Sequence, residues 1–470
     1  LSRAITSVIL EGMKKLPIIA IVGRANVGKS SLFNSVLRRR EAIVANEAGT
    51  TRDSIYAKAE YDDHQFWIVD TAGMKDPEDD FEFTIQEQIL QATDSADIIW
   101  VVIEADAGIS EEDRRVAKLA LKSKKPVMLL VNKADKATKA KAEDYQRLGV
   151  KQIFMTTATQ NRGINDVLEA VVEIIPHASE QTDDNRLRIA LLGRPNVGKS
   201  YLFNTLAKKQ QAIVADVAGT TRDINRAVVK YKSQEVEIMD TAGIRRPGKI
   251  GKGVEHFSVI RSLAAIEQSD VCLVLMDANE LGTALDQKIA GMVKEAGKGL
   301  VLVVSKWDSL DKDAYTRDAL APQIKRDFIF IPWAPLIFTS SVTGQNVTKL
   351  FDLAQEITTE RKKRIKTPEI NRWMKTVIAE HPPAGLKNTQ PKLKYIVQED
   401  DNPNPAFKVF GRDVKFLHWS YKRFMERRLR EIYGYSGTPV RFWFIEEDSK
   451  KQAAKREARQ TSKPAAKKDK

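Results

Sequence analysis

The residues best suited to chemistry in this chain stand in two near-identical strings, GRANVGKS at 23–30 and GRPNVGKS at 193–200. In the pattern G-x-x-x-x-G-K-S, glycines let the backbone close around a phosphate, so that its N–H groups and the N-terminus of the next helix face the negative charge. Gly23, Arg24, Ala25, Asn26, Val27, Gly28, Lys29 and Ser30 would form one such cradle, and Gly193, Arg194, Pro195, Asn196, Val197, Gly198, Lys199 and Ser200 the other. Each lysine brings a compact positive charge to the outer phosphates, and each serine hydroxyl can enter the shell of a Mg²⁺ ion.

Further motifs follow both strings in the same order. DTAGM (Asp70, Thr71, Ala72, Gly73, Met74) and DTAGI (Asp240, Thr241, Ala242, Gly243, Ile244) close apolar runs. There a carboxylate can hold Mg²⁺ through water, and a glycine N–H can reach a γ-phosphate. Thr51 and Thr221, both in GTTRD, offer a second hydroxyl to the same metal or serve as turn residues only. Base choice falls to NKAD (Asn132, Lys133, Ala134, Asp135) and SKWD (Ser305, Lys306, Trp307, Asp308). The final aspartate accepts hydrogen bonds from two N–H groups on one edge of guanine, which adenine cannot offer, while the lysine stem lies across the ring. Thr157 with Ala158, and Ser340 with Ser341, sit in small-residue loops able to meet guanine O6 by backbone N–H. The chemistry expected is binding of GTP with Mg²⁺ and γ-phosphoryl transfer to water, with Lys29, Thr51, Lys199 and Thr221 among the catalytic side chains.

Holding these groups in place requires strand–loop–helix units, and the chain supplies them twice. Gly23 and Gly193, Thr51 and Thr221, and Asp70 and Asp240 are each 170 positions apart, and NKAD and SKWD are offset by 173. The apolar runs PIIAIVG, QFWIVD, DIIWVVIEA and PVMLLVN are answered by LRIALLG, VEIMD, DVCLVLMDA and GLVLVVS. Separated by helix-length amphipathic stretches, these runs predict an α/β fold of buried parallel strands with crossover helices, stated twice. The division expected is an N-terminal extension at 1–16, α/β domains at 17–176 and 187–358, a linker at 177–186, a small α+β domain at 359–447 and a basic tail at 448–470. The α+β region reads in the order α-β-β-α-β, and the tail, with no hydrophobe larger than alanine, is expected to be disordered alone.

Composition narrows the class. Of 470 residues, 42% are hydrophobic and 30% charged, and no apolar run approaches the ~20 residues of a membrane span. RAITSVILEG is broken by Glu11 and lacks a small-residue cleavage site, so no signal peptide and a cytoplasmic location are expected. The single cysteine, Cys272, lies in an apolar run and has no disulfide partner, and the five histidines show no ligand spacing for zinc. Residues 359–470 hold 28 Lys and Arg against 14 Asp and Glu, a net +14; the whole chain is +13, so the first 358 residues sum to −1. Such an end suits docking on a phosphate polyanion, or forms a solvated basic face.

Two five-motif sets, followed by a region with NRW, EHPP and GTPVRFWF, resemble the bacterial tandem GTPases of ribosome assembly called Der or EngA, over roughly residues 17–447. The resemblance implies two Ras-like GTPase domains, a KH-like C-terminal domain, and action on the large (50S) ribosomal subunit or its precursor, with rRNA as partner; a monomer is expected. Met74 and Ile244 stand where Ras places its water-orienting glutamine. Asn26 and Asn196 match the loop position that goes with K⁺ activation in similar GTPases, which implies K⁺ at one or both sites. Several residues depart from the family pattern: Ala25 replaces a proline, Thr157 and Ser341 replace Ser and Ala, and Ser305 replaces the asparagine of NKxD. Loss of that amide is expected to weaken the second site by about 1–2 kcal/mol. The third region lacks the G-x-x-G clamp of KH modules, since GRDV at 411–414 keeps only the first glycine. RNA contact would then rest on Lys and Arg, with KRFMERRLR at 422–430 either an rRNA face or a solvated one. The alternative function is a GTP-gated RNA-binding scaffold with only one hydrolytically active site.

Overall fold

In a computed structural model of the chain, residues 16–37, 56–71, 96–175, 186–209, 225–241 and 259–446 are described, with positions 89 and 92, apart from breaks at 63, 138–139, 233, 312–314, 387–388, 401 and 403. Thr51, Thr221, Ala72, Gly73, Met74, Ala242, Gly243, Ile244, most of the 177–186 linker, the N-terminal extension to residue 15 and the 448–470 tail lie outside the described residues. The chain divides into two compact units, residues 1–355 and 356–470.

The apolar runs of the first unit form two sheets of the same design. In the first repeat the strands are β1 (Ile18–Val22), β2 (Tyr56–Tyr61), β3 (His64–Asp70), β4 (Ile98–Glu104), β5 (Val127–Asn132) and β6 (Gln152–Met155), in the spatial order β2-β3-β1-β4-β5-β6. All neighbours are parallel except the β2–β3 pair. The helices described are α1 (Lys29–Leu37), α2 (Glu111–Lys122) and α3 (Ile164–Ile174).

The second repeat restates this with β7 (Leu187–Leu192), α4 (Lys199–Lys209), β8 (Asn225–Tyr231), β9 (Gln234–Asp240), α5 (Val259–Glu267), β10 (Val271–Asp277), α6 (Ala284–Ala296), β11 (Gly299–Ser305), α7 (Thr316–Asp327), β12 (Leu336–Phe338) and α8 (Lys349–Lys362), its sheet ordered β12-β11-β10-β7-β9-β8. Crossover helices bury both faces of each sheet, which is why the strands read as continuous hydrophobic runs.

Alternation along β1 assigns its side chains to two cores. Ile19 and Ile21 pack with Leu32, Phe33 and Val36 of α1 and Val167, Leu168 and Val171 of α3. Ile18, Ala20 and Val22 join a larger core that also contains Ile260, Leu263 and Ile266 of α5 and Ile289 and Val293 of α6, so the two repeats share one hydrophobic interior. A buried hydrogen bond ties them together: the Trp67 indole Nε1 donates to Glu267 Oε1 at 2.6 Å.

The helices that follow β4 and β10 begin alike. Ser110 caps α2 and Thr283 caps α6, each in a reciprocal capping box with the aspartate three residues on, Asp113 and Asp286.

The second unit holds α9 (Thr367–Glu380), β13 (Lys392–Gln398), β14 (Ala406–Arg412), α10 (Trp419–Tyr433) and β15 (Arg441–Glu446). This is the α-β-β-α-β order expected. β14 is central, antiparallel to β13 and parallel to β15. Its core sets Ile370, Trp373 and Val377 of α9 and Tyr421, Met425 and Leu429 of α10 against Ile396, Phe407 and Val409 on one sheet face.

Candidate functional site

In both repeats a buried strand ends at a glycine and a helix starts six residues later. β1 leads into Gly23 and α1 opens at Lys29; β7 leads into Gly193 and α4 opens at Lys199. Both glycines have positive φ, 155° and 148°. A Cβ at Gly23 would strike the Val102 carbonyl, and at Gly193 it would lie 2.6 Å from the Leu275 carbonyl, so only glycine lets the loop hug the neighbouring strand. Asn26 and Asn196 sit at φ 64° and 62°, a left-handed turn that asparagine tolerates. Val27 and Val197 are buried beneath the loops, which anchors them to the core.

The lysines fold back over their own loops. Lys29 Nζ donates to Gly23 O at 2.7 Å and Arg24 O at 2.6 Å, and Lys199 Nζ to Gly193 O at 2.9 Å and Arg194 O at 2.7 Å. Burial pushes the Lys29 ammonium below the usual lysine range, with the charges of Asp70 and Glu112 opposing that shift. Beside each lysine, Ser30 Oγ donates to Asp70 Oδ2 at 2.5 Å and Ser200 Oγ to Asp240 Oδ2 at 2.8 Å. Strand pairing makes this meeting: β3 lies parallel to β1, opposing Asp70 to Ile21 just before the loop. A hydroxyl and a carboxylate at one point are hard oxygen donors of the kind Mg²⁺ takes. Thr71 and Thr241 donate their hydroxyls to Ile21 O at 2.7 Å and Leu191 O at 3.0 Å, so these side chains brace the strand and leave backbone groups alone to meet a ligand.

The base end is built from β5 and β11. Asn132 Nδ2 donates to Val27 O at 2.9 Å, joining the base motif to the phosphate loop, while Asn132 Oδ1 accepts from Ala158 N at 3.2 Å. At the second repeat the Ser305 hydroxyl lies 2.6 Å from Val197 O and 2.9 Å from Met276 O. The expected loss of the amide therefore leaves the bridge to the phosphate loop in place and removes the arm toward the base loop. Lys133 and Lys306 both have left-handed backbones, φ 59° and 53°. Asp135 and Asp308 are exposed at the strand ends, free of burial that would hinder a base edge from reaching them. Trp307 is buried and packs on Phe338 with ring centroids 4.6 Å apart, so its side chain belongs to the core. Ala134 N bonds to Thr156 O at 3.1 Å and Trp307 N to Thr339 O at 3.0 Å, placing the loops of Thr157 and Ala158, and of Ser340 and Ser341, beside the base motifs.

Two sets of carboxylates join these sites that motif reading passed over. Lys133 Nζ lies 2.8 Å from Glu104 Oε1, and Lys306 Nζ 2.7 Å from Asp277 Oδ2. The hydrogen bond from Lys133 holds the Glu104 carboxyl below its usual range. At Asp277, burial acts to raise the pKa, and the bonds from Lys306 and Asn279 outweigh it, leaving it lowered. Arg24 approaches Asp113 at 3.4 Å and Arg194 approaches Asp286 at 3.8 Å, so each phosphate loop is tied to the capping box of the helix behind it. Burial raises the Asp286 pKa despite Thr283 and Arg194.

Comparison with known proteins agrees with this geometry. A family model described as "50S ribosome-binding GTPase" matches residues 18–133 and again 188–306, and one described as "KH-domain-like of EngA bacterial GTPase enzymes, C-terminal" matches 364–444. The chain is 42% identical to GTPase Der of Herpetosiphon aurantiacus over 434 residues, covering 90% of this chain and 95% of that one. It is 41% identical to GTPase Der of Chloroflexus aggregans, covering 93% and 99%, and 40% identical to GTPase Der of Thermomicrobium roseum, covering 92% and 96%. The chain belongs to the GTPase Der family. It is accordingly a GTP-binding and GTP-hydrolysing protein with two GTPase repeats and a KH-like C-terminal region.

In that KH-like region the basic run at 422–430 is engaged within its own unit. Arg428 pairs with Glu380 at 2.7 Å and with Glu431 at 2.5 Å, and Arg430 pairs with Glu426 at 2.7 Å and donates to the Tyr435 and Thr438 carbonyls. Lys422 lies over the Phe444 ring, Arg423 over Trp419 and Arg427 over Phe424. Arg428 and Arg430 are thus held by partners within the unit, while Lys422, Arg423 and Arg427 remain exposed. Among the described residues no helix is long and apolar enough to cross a membrane.

Proposed function

We propose that this member of the Der family is a GTP-driven switch in ribosome biogenesis, acting in assembly or stability of the large (50S) subunit, with that particle or its precursor and its rRNA as partners. The observation that carries the reading is the recurrence, in both repeats, of one arrangement: lysine folded on its loop carbonyls, serine bonded to the DTAG aspartate, and a polar side chain bridging base motif and phosphate loop. A relic second repeat would have no need of all three. The domain division goes with this reading, GTPase domains at 17–176 and 187–358 and a KH-like domain at 359–447, in a cytoplasmic monomer.

Ser30, Thr51 and Asp70, and Ser200, Thr221 and Asp240, are the residues that would hold Mg²⁺, which when bound neutralises charge on the phosphates. Lys29 and Lys199 leave their loop carbonyls to bind the outer phosphates, the loop amides take the remaining oxygens, and Asp135 and Asp308 read the base. Met74 and Ile244 cannot orient water, so hydrolysis relies on charge stabilisation, for which Asn26 and Asn196 would hold K⁺. Equal turnover in KCl and NaCl would remove K⁺ from this scheme.

A second reading is favoured by one difference between the repeats. Asn132 ties the base loop to the phosphate loop from both ends of its amide, whereas the Ser305 hydroxyl is directed to Val197 and Met276 carbonyls. The looser second repeat would then bind GTP without hydrolysing it, making the chain a GTP-gated RNA-binding scaffold. Co-sedimentation of the full chain with large-subunit particles in GDP, GTP and a non-hydrolysable analogue tests the switch: nucleotide-dependent binding is expected, and equal or absent binding in all three contradicts it. Single-turnover hydrolysis by Lys199→Ala separates the readings, since an inert second repeat predicts no loss.

A further inference from the structure

The outer face of the C-terminal sheet, turned away from α9 and α10, carries a row of residues that the packing of the unit does not use. Phe407 and Val409 point into the core, so their neighbours Lys408, Phe410 and Arg412 lie on the opposite face of β14. Register extends this face to both edge strands: Tyr395 opposes Phe410, Lys392 opposes Arg412, and Trp443 opposes Lys408. Tyr395 and Trp443 are 40% and 38% exposed. The Tyr395 and Phe410 rings are stacked, with centroids 4.5 Å apart and planes 12° from parallel. A shallow depression beside them is lined by Glu399, Asn402, Lys408, Trp443, Phe444 and Ile445, the Glu399 carboxylate being paired with Lys408.

Two features favour one kind of occupant. Like charges directly opposite on a sheet repel, yet Lys392 and Arg412 face each other, both exposed, and neither has an ion pair or side-chain hydrogen bond among the described residues. Lys408, by contrast, is neutralised by Glu399 at 2.5 Å. An anion seated over Lys392 and Arg412 would relieve that repulsion. The planes of Tyr395 and Phe410 could be continued by another flat ring, and Trp443 offers a second. Anionic groups and flat rings alternating on one strand are the chemistry of single-stranded nucleic acid, and bases stack on aromatic side chains with little regard to sequence.

We infer that this face is a stacking platform for a single-stranded RNA segment, with phosphates over Lys392 and Arg412 and bases on Tyr395, Phe410 and Trp443. It replaces the absent G-x-x-G clamp with a different surface of the same unit. The inference rests on the ribosomal reading only for the source of the RNA.

The test uses the full chain and fluorescein-labelled oligouridine and oligoadenosine of twelve nucleotides, with an RNA duplex of equal length as control. Tyr395→Ala and Trp443→Ala are each expected to weaken binding to both oligonucleotides about tenfold or more, and Trp443→Phe to restore it. Lys392→Gln and Arg412→Gln are expected to flatten the salt dependence by about one counterion each. Circular dichroism and GTP turnover should match the parent chain in all five. Equal affinity for the duplex, or alanine variants that bind as the parent does, would overturn the platform. Parallel co-sedimentation with large-subunit particles keeps the two readings apart. Oligonucleotide binding without particle binding supports the platform and sinks the ribosomal role, whereas particle binding lost with oligonucleotide binding unchanged assigns the face to a protein and overturns the platform.

Discussion

Ser305 Oγ meets Val197 O at 2.6 Å in the second repeat where Asn132 Nδ2 meets Val27 O at 2.9 Å in the first. A shorter side chain thus makes the same bridge between base motif and phosphate loop. What it cannot do is reach the base loop: its other neighbour is Met276 O at 2.9 Å, whereas Asn132 Oδ1 also receives the Ala158 amide. Ser305→Ala is expected to weaken guanine nucleotide binding at the second repeat by about 0.5–1.5 kcal/mol, the worth of one hydrogen bond. Nucleotide affinity in a Lys29→Ala background measures it, and an unchanged Kd would show the bridge to be idle.

Lys29 should give the first site a falling affinity at alkaline pH. Its ammonium is held below 10.5 by burial, so it loses its proton before an ordinary lysine would, and a neutral amine no longer attracts phosphate. The nucleotide-free fold responds with the opposite sign. Between the lowered folded value and 10.5 the unfolded chain binds more protons than the folded one, so stability rises with pH across that window and is flat below it for this group. Nucleotide titrations and denaturant melts over the same pH series check both signs, with Lys29→Met expected to remove both trends.

Glu267 serves the shared core of the repeats. Its carboxylate accepts from Trp67 Nε1 at 2.6 Å and from Leu16 N at 3.4 Å. Glu267→Ala leaves a buried indole N–H unpaired and is expected to destabilise the first unit by about 1–3 kcal/mol, read from chemical denaturation. Glu267→Gln keeps an acceptor and should lose less. Equal losses in the two variants would show that charge, and not the hydrogen bond, matters there.

Much of this could be read from the chain alone, and the exceptions share a cause. Phosphate cradling demands glycines, a lysine and a serine within eight residues, and guanine recognition an aspartate at the end of a strand, so GRANVGKS and NKAD announce themselves. Glu104 and Asp277 do not, because they reach Lys133 and Lys306 only through the pairing of β4 with β5 and of β10 with β11. Trp67 and Glu267 are 200 residues apart and meet through packing of one repeat on the other. The arginines at 428 and 430 look free in the sequence, yet Glu380 arrives from α9 and the Tyr435 and Thr438 carbonyls from the turn after α10. At Ser305 the residue type shows the lost amide, and only the fold shows that the hydroxyl still reaches Val197 O.

The central claim is that both repeats are working guanine-nucleotide sites, and nucleotide stoichiometry tests it most directly. Equilibrium dialysis of the full chain with GTP and Mg²⁺ should saturate at two equivalents, with ATP failing to compete. Asp135→Asn and Asp308→Asn, which set an amide N–H against the donor edge of guanine, should each remove one equivalent. Saturation at a single equivalent in the parent chain, or two equivalents surviving in Asp308→Asn, would contradict it.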